Sequence, residues 1–260
     1  MSDPAVAALN SLLRGASIDD HEEVLKLANS AIRASKTNRA NLVAAQHTRV
    51  VALLKLDRFE DALRAIADGG DAIEKLCPLE KAYALYKTGD LTGAEAILKS
   101  AGASKGSRSL RHVSAQVAYR AGNFEQAASI YKVLGTEQDG AMYGEENDLQ
   151  INLLAVNAQL EWQGKGWAVP DAQKKTGREE LEAFETAYNA ACGCIARGDY
   201  AKAAVFLKRS KDLCEASDDL SEEEKKAELA PIIVQQAYVY TKLGKLEEAA
   251  VLQGSLALSE

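Results

Sequence analysis

An all-α solenoid, a superhelix of antiparallel helix pairs, is the fold this sequence predicts, and three observations predict it. A short arrangement recurs: a small turn residue, a polar residue, an aromatic or aliphatic residue, and an alanine three positions later. It reads Gly122-Asn123-Phe124 with Ala127 and Gly198-Asp199-Tyr200 with Ala203, and more loosely Gly89-Asp90-Leu91 with Ala94, Gly244-Lys245-Leu246 with Ala249 and Asp57-Arg58-Phe59 with Ala62. Adjacent copies are evenly spaced, Gly89 following Asp57 by 32 residues and Gly122 following Gly89 by 33. Only 4 prolines and few β-branched runs interrupt the 260 residues, so helix is favoured almost throughout.

A helix–turn–helix unit repeating about every 34 residues is the signature of tetratricopeptide (TPR)-like repeats, in which no unit can bury its apolar face alone. The turn chemistry has a physical reason. A glycine ending a helix takes the left-handed conformation without a Cβ penalty. The aromatic two residues later packs between the paired helices. The alanine three residues further on lets the helices approach, and a larger side chain there overpacks the interface.

Counting outward from the turns assigns the pairs in order. The first comprises 4–14 and 20–35, with Pro4 in a first helical turn and Asp19 or Asp20 as a cap. The next are 38–56 with 59–67, 77–88 with 91–100, and 108–121 with 124–134. Pro78 suits a helix start, because the N–H it lacks has no intrahelical partner there. Residues 145–163 read as one long helix, with Leu149, Leu153, Val156 and Leu160 at helical spacing. Residues 164–177, with three glycines, Pro170 and Trp167, read as a loop that replaces or shortens a second helix. The last pairs are 178–196 with 200–216 and 222–243 with 246–258, where Ser221 and Glu224 form a capping box and Pro231 kinks or restarts the helix. The whole is expected to act as a single protein-binding domain over 1–260, with a degenerate repeat near 145–177.

Composition narrows the function. A net charge of −7 argues against a general nucleic-acid surface, which needs clustered Lys and Arg. No run of 18 apolar residues and no signal-like N-terminus is present, which points to an intracellular protein with no membrane contact. The three histidines, His21, His47 and His112, have no HExxH or Cys/His pairing in sequence, so no metal site is expected. Cys77, Cys192, Cys194 and Cys214 read as small buried side chains, and Cys192 and Cys194 point away from each other on a helix. The segment 102–107 lacks phosphate-loop spacing. With no nucleophile, base or cofactor motif, the chain is expected to be no enzyme, to bind no cofactor and to take no small-molecule substrate.

Stacked pairs line a groove with their first helices. Its predicted positions are His47, Val51 and Leu54, then Leu79, Tyr83 and Tyr86, then His112, Gln116 and Tyr119, and further on Tyr188 with Asn189 beside it. Cys192, Val234 and Tyr238 continue the series. Tyrosines among amides and aliphatics suit a bound peptide, because Tyr combines contact area with a polar tip.

Four segments carry a narrower resemblance: 77–86 (Cys-Pro-Leu-Glu-Lys-Ala-Tyr-Ala-Leu-Tyr), Asn152 to Val156 followed by Trp162, Tyr188 to Cys192 running into Gly198, and Glu228 to Ala230 leading to Gln236-Ala237-Tyr238 and Gly244. In this order, with the degenerate middle repeat, the chain from Asn38 onward resembles the N-terminal TPR domain of the 72-kDa subunit of the eukaryotic signal recognition particle. The resemblance implies a cytoplasmic, non-catalytic scaffold that grips the C-terminal region of the 68-kDa subunit, within a particle that targets secretory ribosomes to the endoplasmic reticulum. It implies that RNA contact is indirect, or belongs to a basic segment after the repeats that is absent here, so that the sequence reads as a truncated domain. The alternative is a generic TPR peptide adaptor or co-chaperone module that clamps a C-terminal carboxylate. Asn189 matches one clamp position, but Thr48, Glu80, Val113 and Gln235 stand at its equivalents.

Overall fold

A computed structural model describes residues 20–35, 38–103, 107–137, 145–175, 177 and 181–257. Among these the structure is all-α, with no strand. The chain divides into two compact units, Met1–Ala121 and Gly122–Glu260. The expected first helix, 4–14, lies outside the described residues.

The first unit contains α1 (His21–Ala34), α2 (Arg39–Lys55), α3 (Phe59–Asp68), α4 (Gly70–Leu76), α5 (Pro78–Thr88), α6 (Leu91–Ser100) and α7 (Arg108–Arg120). Each helix packs on its successor in the pair and on the pair behind: α1 on α2, α2 on α3, α3 on α5, α5 on α6 and on α7. One buried cluster joins Val24, Leu25, Val50, Leu53, Ala62, Ile66 and Ile73. A second joins Ala82, Ala94, Leu98, Leu110, Val113 and Val117. The short α4 is absent from the sequence reading, since seven residues carry too little periodicity to register. It exists because Ile73 and Cys77, both fully buried, pull the chain between α3 and α5 onto the first cluster.

The second unit contains α8 (Phe124–Thr136), α9 (Glu145–Trp162), a 3₁₀ turn (Gly166–Ala168), the one-turn α10 (Asp171–Lys174), α11 (Phe184–Ala196), α12 (Tyr200–Glu215), α13 (Glu222–Lys242) and α14 (Leu246–Ala257). Here α8 packs on α9, α9 on α11, α11 on α12, α12 on α13 and α13 on α14. The expected loop over 164–177 is this 3₁₀ turn and α10 in place of a full second helix. Val169 is buried, and the Asn157 amide donates to Gln173 Oε1 at 2.7 Å, fixing the segment to α9.

Two expectations shift. The helix expected from 178 begins at Phe184: Leu181 is fully buried in non-helical backbone, while Arg209 Nε and Ser210 Oγ of α12 donate to the Leu181 and Phe184 carbonyls. Those bonds and the burial of Leu181 hold the entry extended. Of the two alternatives for Pro231, a kink or a restart, the restart does not occur: α13 continues through it with the proline exposed.

The turns follow the predicted chemistry. Gly198 has φ 79°, and the Asp199 N–H donates to the Cys194 carbonyl at 2.9 Å, closing the helix end six residues wide. Asp199 and Asp90 then cap the following helices, their carboxylates accepting from the Lys202 and Gly93 N–H groups. Ser221 and Glu224 form the reciprocal capping box at α13. All five turn alanines, Ala62, Ala94, Ala127, Ala203 and Ala249, are buried at 4 % exposure or less. At the first turn Asp57 does the glycine's work at φ 54°, the one non-glycine with positive φ among the described residues, with Arg58 N–H donating to Leu53 O at 2.9 Å.

Ala127→Leu is expected to lower unfolding stability by about 1–3 kcal/mol, measured by thermal or denaturant melts. Asp57→Gly is expected to raise it by about half a kcal/mol, since the left-handed penalty removed slightly exceeds the backbone entropy that glycine adds. A fall in stability on Asp57→Gly would show that the Asp57 side chain, and not the backbone conformation, carries that turn.

Candidate functional site

The nine predicted groove positions of the first unit lie on α2, α5 and α7, with α5 touching both of the others. Helical spacing sets His47, Val51 and Leu54 in one row, Leu79, Tyr83 and Tyr86 in a second, and His112, Gln116 and Tyr119 in a third. Val51 is exposed and the other eight are partly buried. Leu54 leans on the first apolar cluster, and Leu79, Tyr83 and Tyr86 on the second. These side chains support the stack with one part of their surface and leave the rest to solvent.

Specific contacts tie the rows together. His47 Nε2 lies 2.9 Å from Glu80 Oε1, linking α2 to α5. The hydrogen bond to Glu80 raises the His47 pKa against the opposing effect of burial. Burial pushes Glu80 up, but the His47 bond and its backbone bond outweigh this and hold it below the usual carboxylate value. Arg120 of α7 donates to the Tyr86 carbonyl at 2.7 Å, and its guanidinium sits 5.4 Å from the Tyr86 ring centre. Tyr83 meets Phe59 of α3 edge to face at 6.1 Å, with Lys87 Nζ 5.2 Å from the Phe59 ring and 5.9 Å from the Tyr83 ring. The result is an aromatic strip with cationic edges and one partly buried ion pair.

Tyr188 and Asn189 belong to α11 in the second unit. Tyr188 packs against the cluster of Ala187, Ala191 and Cys194 and hydrogen-bonds the Cys192 thiol. Asn189 Nδ2 donates to the Ile151 carbonyl at 3.1 Å, fastening α11 to α9. The Asn189 amide therefore has a structural use within the unit.

Glu80, Arg120, Phe59 and Lys87 were not among the predicted positions. The repeat itself holds the signal for two of them: His47 and Glu80 are 33 residues apart, and Tyr86 and Arg120 are 34 apart. One period along the chain brings matching positions of successive first helices side by side. The same period brings together a donor set that local spacing does not reveal, since His47, Cys77 and Glu80 offer ligand atoms within 4.8 Å of one another. The expectation that no residues here could hold a metal rested on local motifs, and the fold supplies this set across helices.

Paired helices, left-handed turns and buried turn alanines define the class, a TPR-like helical-repeat protein. The chain matches the family model SRP_TPR_like, described as a TPR-like repeat, over residues 17–159, and it belongs to that family. It is 30% identical over 243 residues to signal recognition particle subunit SRP72 of Canis lupus familiaris, covering 91% of this chain and 34% of that protein. The similarity to SRP72 of Schistosoma mansoni is 30% over 249 residues, covering 94% and 32%. For srp72 of Schizosaccharomyces pombe it is 25% over 233 residues, covering 90% and 36%. The chain thus spans about a third of the length of these relatives. Among the described residues no helix is long and apolar enough to cross a membrane.

Proposed function

We propose that this chain is a non-catalytic scaffold domain of the cytoplasmic signal recognition particle, acting as one binding domain over its length. It holds the C-terminal region of the 68-kDa subunit and so supports co-translational targeting to the endoplasmic reticulum. The observation that carries this reading is the similarity to SRP72 over nine-tenths of the chain. The proposed contact surface is the face formed by α2, α5 and α7, with Tyr83, Tyr86 and Tyr119 as anchors and Val51 as an exposed apolar contact. Tyr188 and Asn189, in the second unit, are proposed as separate partner contacts. Tyrosines that are already half-ordered by packing lose little further entropy when a partner covers them, which favours them as anchors. RNA is reached indirectly or through chain beyond this sequence, because acidic and basic side chains here give a net −7.

The carboxylate-clamp alternative is disfavoured by the same geometry. The Asn189 amide is engaged by Ile151 O, the Thr48 hydroxyl donates to Ala44 O, and Glu80 presents a negative charge.

The test is a fluorescence-anisotropy titration of the chain with a labelled C-terminal segment of the 68-kDa subunit. An acidic C-terminal peptide and the particle's RNA serve as comparisons. Saturable binding of the subunit segment alone is expected, with Tyr83→Ala and Tyr119→Ala each weakening it by about 1–2 kcal/mol. Tyr83→Ala also removes the Phe59 contact, so its binding is measured below its own thermal transition. Unchanged affinity in both folded variants would remove the face from the site, and preference for the acidic peptide would favour the clamp. Tight, salt-sensitive RNA binding would move the RNA contact into the repeats.

A further inference from the structure

Cys77, Glu80 and His47 meet where α4 passes into α5 against α2. Cys77 is the residue before Pro78, at the N-terminal end of the 11-residue α5, and Glu80 stands in the first turn. His47 projects from α2 so that its Nε2 touches the Glu80 carboxylate. The three donor atoms, an imidazole nitrogen, a thiol sulfur and a carboxylate oxygen, all lie within 4.8 Å of one another. The Cys77 side chain is fully buried, whereas that of His47 is 37% exposed and that of Glu80 17%. The cluster therefore has a closed side and a side open to solvent.

We propose that His47, Cys77 and Glu80 form a divalent transition-metal site, with zinc the chemistry it fits best. A tetrahedral zinc ion with nitrogen, sulfur and oxygen ligands at about 2.0–2.3 Å sets its donors roughly 3.3–3.8 Å apart. The 2.9 Å His47–Glu80 approach and the 4.8 Å limit bracket that distance, so side-chain adjustments of about an ångström suffice. Three protein ligands leave the fourth position to water on the His47 side. A thiolate and a carboxylate neutralise a 2+ ion, so the occupied site carries no net charge into a partly buried place. Thiolate and imidazole together select zinc or cobalt over magnesium and calcium, which take oxygen.

The balance of the binding step is simple. The Cys77 thiol loses its proton to solvent, Glu80 is already a carboxylate, and His47 binds as neutral imidazole through Nε2. One proton is released for each metal bound if His47 begins neutral, and two if it begins protonated. Burial and the neighbouring Glu80 charge keep the free thiol protonated, its pKa pushed up to about 12. A cation between Cys77 and Glu80 reverses that electrostatic relation, because it attracts both anions. The positive end of α5 favours the thiolate as well. Bridging α2 to the α4–α5 junction, the ion would fasten two successive pairs of the first unit.

This inference is independent of the 68-kDa partner, and its test uses the chain alone. Chelator-treated protein is titrated with cobalt(II) and followed by absorption, with zinc(II) added in competition. One equivalent of cobalt is expected to give a tetrahedral visible band and a thiolate-to-cobalt near-ultraviolet band, both displaced by zinc. Cys77→Ala is expected to abolish the near-ultraviolet band, while His47→Gln and Glu80→Gln weaken binding by more than about tenfold. A variant with Cys192→Ala and Cys194→Ala should keep the full spectrum. Zinc should also raise the thermal midpoint of the unaltered chain clearly more than that of His47→Gln, which decides the matter even if Cys77→Ala does not fold. The proposal is overturned if no thiolate band appears with millimolar cobalt, if Cys77→Ala retains it, or if zinc shifts both midpoints equally.

Discussion

Close approach between paired helices at the turn alanines is the constraint on which the rest of the structure depends. Ala62, Ala94, Ala127, Ala203 and Ala249 are buried where each second helix begins. Their small size lets Phe59, Leu91, Phe124 and Tyr200, each two residues after the left-handed turn residue, pack partly buried beside the paired helices, whereas Leu246 at the last turn stays 64% exposed. A methylene more at these points would push the helices apart, and the pairs packed on them within the same unit would inherit the displacement. The apolar clusters around Ile66, Leu98 and Leu207 are packed on that fixed spacing.

The same regularity explains the polar contacts. His47–Glu80, Tyr86–Arg120, Glu161–Arg197 and Ile151–Asn189 join residues 33, 34, 36 and 38 apart. Each is close to one repeat, because like positions on successive first helices are neighbours in space. In a protein built this way, a side chain's most informative partner stands one period along the chain. The donor set of His47, Cys77 and Glu80 arises from that rule: two ligands sit at one helix entry and the third one repeat earlier.

Much of the fold was legible because turn chemistry is local. Glycine, a polar cap and a following alanine are read from consecutive residues, so α6 over Leu91–Ser100 has the expected bounds. What escaped depends on contacts distant in sequence. The α4 turn forms because Ile73 and Cys77 find a buried surface, and seven residues have no periodicity to announce that. The start of α11 is delayed by bonds from Arg209 and Ser210, some 26 to 28 residues away. The sequence predicts groove-lining positions along successive first helices, those of the first unit falling in three rows. The structure places those rows on touching helices but spends part of each tyrosine on packing, as with Tyr83 against Phe59. His47 is a predicted groove residue, and its bond to Glu80 joins positions 33 residues apart, a spacing that only the repeat period makes adjacent.

The most direct measurement is amide hydrogen exchange of the chain alone and bound to the C-terminal region of the 68-kDa subunit. Added protection is expected to concentrate in α2, α5 and α7, with little change in α13 and α14. Protection confined to α12–α14, or none anywhere in a complex that demonstrably forms, would contradict the proposed contact surface.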